Sequence, residues 1–108
     1  MVLYEVNAEI SKDLSQAYLD WLKPHIELIL KEPGFLSAEV FQENEVVASD
    51  KEKFVVHYFV NTEEDLKNYF AGPAKAYRQE ALQKFGPSLS ISRRQLTKRY
   101  GLPIGSST

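Results

Sequence analysis

The sequence has no cysteine, which removes disulfides, thiolate nucleophiles and zinc–thiolate sites from any account of it. It has no excess of positive charge: 13 Lys and Arg against 15 Asp and Glu leave a net charge of −2, without the basic footprint of a dedicated nucleic-acid binder. No apolar run approaches the roughly 20 residues needed to cross a bilayer. Residues 1–10 also lack the basic start and apolar stretch of a secretory signal. There is no glycine-rich phosphate loop, nucleophile elbow or kinase signature, and no internal repeat or low-complexity segment. These absences point to a soluble, cytoplasmic protein with neither a nucleic-acid nor a membrane partner. What remains is ordinary globular material. The 108 residues, 44% hydrophobic and 26% charged, allow one domain and one core.

Residues 2–10 alternate, with Val2, Tyr4, Val6, Ala8 and Ile10 on one side and Leu3, Glu5, Asn7 and Glu9 on the other. That is the period of a strand with one buried face. The period then becomes helical. Ser11 or Asp13 can cap the helix, Asp13 with Gln16 at the capping-box position. Leu14, Tyr18, Leu22, His25 or Ile26, and Ile29 form its apolar stripe. Pro24 lacks the N–H that would bond the Asp20 carbonyl, so a kink is expected there, and Pro33-Gly34 ends the helix. Residues 35–42 return to period two, with Leu36, Ala38 and Val40 against Phe35, Ser37, Glu39 and Phe41. Polar Ser49-Asp50-Lys51-Glu52 reads as a hairpin tip, with residues 43–48 extending the strand or bulging.

Residues 53–60 are apolar on both sides apart from His57, the mark of a central strand covered on both faces. Thr62 followed by Glu63, Glu64 and Asp65 is a helix start, a capping hydroxyl with carboxylates at the positive end of the dipole. Leu66, Phe70, Ala74, Tyr77, Ala81 and Phe85 make its buried stripe. Gly72-Pro73 should break this helix in two, and Gly86-Pro87 should stop it. Residues 88–96 form a fourth strand, with Leu89, Ile91 and Arg93 against Ser90, Ser92, Arg94 and Leu96. The expected organisation is a single domain over residues 1–98 and a flexible tail over 99–108.

The resulting order, βαββαβ, is the split unit of ferredoxin-like α+β folds. Right-handed crossovers put both helices on one face of a four-stranded antiparallel sheet, with the first and third strands central. The face bearing Val6, Ala38 and Val56 then meets the helices. Leu3, Phe35, Phe41, Val55, Phe59 and Leu96 are left on the other face, where each would forgo ~1.5–3 kcal/mol if wet. A second copy is the expected cover, since most soluble oligomers are symmetric homodimers.

Tyr4-Glu5-Val6, Trp21-Leu22 with His25, Pro33-Gly34-Phe35, His57-Tyr58-Phe59, Tyr77-Arg78 and Arg93-Arg94-Gln95-Leu96 carry a resemblance that spans nearly the whole chain. The sequence resembles the dimeric α/β-barrel superfamily, in which two ferredoxin-like subunits pack sheet against sheet around a cleft. Within it, the chain is similar to a small bacterial family known as domain of unknown function 4286. The resemblance implies the fold and the dimer. It carries over no catalytic residue.

Glu5, Asn7, Glu39, His57 and Arg94 have the parity to meet on the open face beside Phe59, because neighbouring strands lie ~4.8 Å apart. His57 within reach of Glu5 or Glu39 is the candidate general base. The alternative is that these groups satisfy one another inside a dimer interface. His25, beside Pro24, could reach the cleft mouth as an acid or base, or simply cap a kink. No H-x-x-x-H or H-x-E spacing supports a metal, and no cofactor is expected. Tyr18, Trp21 and Tyr77 read as core or rim rather than a ligand platform, Trp21 and Tyr69 falling off the main stripe toward an edge. Arg78 reads as a solvated or salt-bridged group more readily than an anion holder. An RNA recognition motif shares the topology, but residues 53–60 lack its small residues, and Tyr58 and Phe59 face opposite sides. The favoured function is a non-catalytic homodimeric module that takes a small apolar or amphipathic ligand between the sheets. The alternative is a cofactor-independent enzyme, monooxygenase- or isomerase-like, using His57 in that cleft.

Overall fold

The computed structural model describes residues 1–44 and 50–103. Strands β1 (Val2–Ser11), β2 (Phe35–Gln42), β3 (Lys51–Val60) and β4 (Leu89–Thr97) form one antiparallel sheet in the order β2-β3-β1-β4. Helices α1 (Ser15–Ile29), α2 (Glu63–Ala71) and α3 (Ala74–Phe85) connect them as β1-α1-β2-β3-α2-α3-β4. This is the ferredoxin-like α+β fold, the second helix divided at Gly72-Pro73 as its sequence requires. β1 sits between its two partners in continuous register: Val6 lies opposite Val56 on β3 and Arg93 on β4, and Glu5 lies opposite His57 and Arg94.

Because side chains alternate along a strand, this register sorts the sheet into two faces. Tyr4, Ala8, Ile10, Phe54, Val56, Tyr58 and Val60 are buried against Tyr18, Leu22, Ile26 and Ile29 of α1, Leu66 and Tyr69 of α2, and Ala74, Ala81 and Phe85 of α3. On the other face Leu3, Val55, His57 and Phe59 are only half-buried, and Phe41 and Leu96 are exposed. The molecule is 42 × 40 × 19 Å, two layers thick, and exposes 7358 Å². A compact monomer of this mass exposes roughly 6,100 Å².

Local chemistry moves several boundaries. A 3-10 turn (Lys12–Leu14) precedes α1, and neither Ser11 nor Asp13 caps it. Gln16 forms no capping box either; its amide donates to Asp20 at 2.9 Å. The start of α1 is tied instead by the Ser15 hydroxyl, which donates to the Glu52 carboxylate on β3. Helix α1 runs through Pro24 without a break and ends at Ile29, four residues before Pro33. Thr62 does cap α2, its hydroxyl oxygen accepting the Asp65 N–H at 3.0 Å. Lys51 and Glu52 belong to β3 rather than to a hairpin tip. Ser49 and the rest of 45–49 lie outside the described residues, as does 104–108 of the expected tail.

Two expectations about faces are corrected. The β2–β3 register shifts between Phe35 and Ser37, so Leu36 is the extra residue of a bulge. Leu36 therefore faces solvent at 58% exposure, while Phe35 turns to the helix side, buried against Tyr58 and Tyr69. Tyr69 is likewise not at an edge. Three residues after Leu66, it shares the buried side of α2 and is 4% exposed.

Gly34 and Gly86 are the two glycines with positive φ, +82° and +51° among the described residues. A Cβ on Gly34 would also lie 2.3 Å from the Asp65 carboxyl carbon, whereas one on Gly86 would meet nothing within 4 Å. Gly86→Ala should therefore lose about 1–3 kcal/mol to backbone strain alone. Gly34→Ala should lose more, because the clash adds to the strain. Urea denaturation of both variants checks the order, which fails if Gly34→Ala is the milder.

Candidate functional site

Each face of the sheet holds one cluster of polar side chains, and the two differ in how well they are satisfied. On the open face the centre is Glu5, buried at 6% exposure. The β1 register places it between β3 and β4. His57 Nε2 lies 2.9 Å from Oε1, and Arg94 Nε donates to Oε2 at 2.5 Å. The Asn7 amide donates to Oε2 at 3.0 Å. Hydrogen bonds from Arg94 and then Asn7 hold the Glu5 carboxyl down at about 2, against the opposing effect of burial. Phe41 lies 5.3 Å from His57, ring centre to ring centre.

The structure thus joins Glu5, Asn7, His57 and Arg94. Glu39 faces His57 across the β2–β3 ladder but makes no hydrogen bond or ion pair to the cluster among the described residues. Phe59 pairs with Leu3 farther along the same face. His25 belongs to α1 and so lies across the sheet from His57. Among the described residues, no three His, Cys, Asp or Glu side chains assemble as a metal site.

On the helix face a chamber of about 40 Å³ lies between the sheet and the helices. Tyr4 and Tyr58 form its floor, their rings stacked at 5.6 Å. Tyr18, Trp21 and His25 come from α1, Tyr69 from α2, Tyr77 and Arg78 from α3, and Arg93 from β4. No described residue hydrogen-bonds the hydroxyls of Tyr4, Tyr18, Tyr58 or Tyr69. Burial pushes the Tyr18 phenol up to about 12 and raises Tyr58 and Tyr69 as well, so all three are neutral donors at ordinary pH. Tyr77 is different: its hydroxyl donates to Glu32 at 3.0 Å and pins α3 to the end of α1.

Two buried nitrogens here have no hydrogen-bond partner among the described residues, Nδ1 of His25 and Nε of Arg78. His25 Nδ1 is 3.4 Å from Glu80 Oε2, within ion-pair range but not aligned for a hydrogen bond. Burial lowers the His25 pKa, with Glu80 opposing, so the neutral imidazole is favoured. The ring stacks on Trp21 at 4.2 Å. These two rings also line an open groove of about 480 Å³ between α1 and α3, with Pro24, Leu28, Glu80 and Lys84. Trp21 and His25 are therefore the common wall of groove and chamber.

This second cluster was only partly visible in the sequence. Trp21, His25, Tyr77 and Arg78 stood out singly, but Tyr4 and Tyr58 read as plain core. The available signal was their hydroxyls. A tyrosine at the centre of a buried strand face carries a polar group that must be matched or left at a penalty of ~1–3 kcal/mol.

A family model described as "Domain of unknown function (DUF4286)" matches residues 1–99. Among solved structures the chain is similar to SnoaB, a cofactor-independent oxygenase from Streptomyces nogalater. The identity is 15%, covering 94% of this chain and 97% of that one, with a TM-score of 0.68. It is similar as well to a monooxygenase from the gene ActVA-Orf6 of Streptomyces coelicolor, in complex with the ligand Nanaomycin D. There the identity is 21%, the coverage 94% and 90%, and the TM-score 0.68. The de novo designed protein Foldit4 also matches, at 17% identity, 91% and 98% coverage and a TM-score of 0.58. A designed protein in this company underlines that the likeness is one of fold. No curated sequence matches the chain.

The carboxyl of Glu5 sets a pH dependence. Its folded value of about 2 lies below its ordinary 4.5, so its contribution to stability is complete above about 4.5 and is lost as pH falls toward 2. Glu5→Gln should destabilise the protein at neutral pH, leaving Arg94 without its anion. The gap to wild type should shrink as denaturation is measured at successively lower pH across that window. A gap that stays constant from pH 6 to pH 2 would remove Glu5 from the centre of the cluster.

Proposed function

The chain belongs to the family described as domain of unknown function (DUF4286), and we propose that it works as a homodimeric small-molecule-binding domain with its ligand site between sheet and helices. The observation that carries this is the contrast between the two faces. Glu5, Asn7, His57 and Arg94 of the open face are matched to one another. The chamber, by contrast, is lined by Tyr4, Tyr18, Tyr58 and Tyr69, whose hydroxyls take no hydrogen bond from a described residue. Two buried nitrogens there also lack one, Arg78 Nε and the His25 Nδ1 that lies beside Glu80. Buried polar groups are normally satisfied. A collection of unmatched donors around one cavity is therefore what a binding site needs and what a mere core avoids.

The open face serves the dimer. Four strands at ~4.8 Å spacing and ~3.3 Å rise per residue present roughly 19 × 30 Å, of the order of the ~800 Å² per partner in a stable interface. Leu3, Phe41, Val55, Phe59 and Leu96 supply the apolar contact around the self-satisfied Glu5–His57–Arg94 group. In this reading His57 is an interface residue, and a ligand between the sheets is not required. No helix among the described residues is long and apolar enough to cross a membrane.

A second reading is a cofactor-independent oxygenase. It is favoured by the likeness to SnoaB and to the ActVA-Orf6 monooxygenase, and by the titratable His25 at the chamber wall. It differs from simple binding in consuming oxygen when a substrate enters, which an oxygen electrode reads directly.

Three measurements test the binding domain. Sedimentation at micromolar concentration should give twice the 12.4 kDa chain mass, and a folded monomer would refute the dimer. Val55→Ala and Phe59→Ala should each lose on the order of 1–4 kcal/mol, with melting that depends on protein concentration. Trp21 is the sole tryptophan, so its emission should change on titration with single-ring amphipathic compounds. Tyr58→Phe should weaken that binding while altering stability by less than about 1 kcal/mol, because the lost hydroxyl has no partner to lose. If no such compound moves Trp21 emission, the chamber is not a binding site.

A further inference from the structure

The residues lining the chamber include Arg78, Arg93 and His25 but no aspartate or glutamate. The buried nitrogens without a hydrogen bond are Arg78 Nε, a donor, and His25 Nδ1, and the lining tyrosines add hydroxyls that can donate and that no described residue engages. A donor-rich, carboxylate-free cavity with two guanidinium groups favours an anion and rejects a cation. Size adds a second constraint. About 40 Å³ holds roughly three waters at ~10–15 Å³ each on this measure, the scale of one carboxylate head group and too little for an aromatic ring. The space for a larger body is the adjoining groove of about 480 Å³, whose wall is Trp21 with Pro24 and Leu28. The rings of Trp21 and His25 are all that both spaces share.

We infer that the ligand is an amphipathic carboxylate, its head group in the chamber against Arg78 and the tyrosine hydroxyls and its apolar body in the groove over Trp21. Arg78 is built for the head-group role. Its guanidinium is 5.4 Å above the Phe70 ring, which holds the plane while Nε stays buried and unpaired. The head group reaches it by displacing the Trp21–His25 stack, and Trp21 then covers the body of the ligand. His25 Nδ1, in ion-pair range of the half-exposed Glu80 but not aligned with it, gains freedom to turn when the stack parts.

This ligand class rests on the binding-domain reading above, and the test separates the two. Trp21 fluorescence and calorimetry are run with 3-phenylpropionate, its amide and the corresponding alcohol, which share a body and differ in the head. The acid should bind roughly tenfold or more tightly than either neutral analogue, the scale of a charge-assisted hydrogen bond. Arg78→Met, which keeps an unbranched side chain but removes the charge, should abolish that preference while leaving the neutral analogues bound as before. Arg93→Met, at an exposed strand position, is the second variant and should reduce the preference in the folded protein even if Arg78→Met does not fold. Equal binding of acid and amide, or a preference untouched by both variants, would overturn the carboxylate and leave the binding domain standing. Failure of all three compounds to bind would overturn both.

Discussion

Strand β3 is apolar in both directions, and one layer of helices covers it in only one. Phe54, Val56, Tyr58 and Val60 are sealed under α1, α2 and α3, while Val55 and Phe59 stay half-wet on the reverse. Everything else in the molecule follows from that imbalance. A sheet covered by helices on one face only leaves an apolar face to water, and the proposed dimer covers it with a second sheet of the same kind. The polar residues at the centre of that face are compatible with closure because they arrive already paired, and the unpaired Glu39 lies on the exposed strand β2. Glu5 takes Arg94, Asn7 and His57 at once, so covering them leaves little unmet hydrogen-bonding capacity behind.

The helix side shows the opposite economy. Most of its apolar residues are covered, Val40 at 44% exposure excepted, but polar ones are left over. Tyrosine at positions 4, 18, 58 and 69 supplies the aromatic area of a phenylalanine core and adds a hydroxyl at each site. A chain selected for packing alone has no reason to retain four unmatched hydroxyls next to a buried imidazole and a buried guanidinium nitrogen. Functional sites are where such local inconsistencies are expected. At 15–21% identity, the likeness to monooxygenases speaks for the architecture only.

Much of the fold was legible because it rests on strong periodicities: nine alternating residues in β1, a two-sided apolar β3, and proline-glycine punctuation at Gly72-Pro73. The open-face cluster was legible too, since parity alone assigns Glu5, Asn7, His57 and Arg94 to one side. What failed was what parity cannot carry. A single bulge at Leu36 reversed Phe35, and a 3-10 turn before α1 displaced the expected capping box. The chamber was hidden for a different reason. Its members sit on six separate elements, and none of them alone marks a site. Only their convergence, with hydroxyls and nitrogens unmatched, distinguishes a site from packing.

The sequence contains two histidines, one on each side of the sheet, and they make the proposed division between a dimer face and a ligand face directly testable. Side-chain NMR of His25 and His57 can be followed under two perturbations, dilution through the dimer dissociation range and titration with 3-phenylpropionate. Dilution should move the His57 signals and leave His25 still, while the ligand should move His25 and leave His57 still. A ligand that shifts His57 alone would put the binding site between the sheets and contradict the assignment of the helix-side chamber.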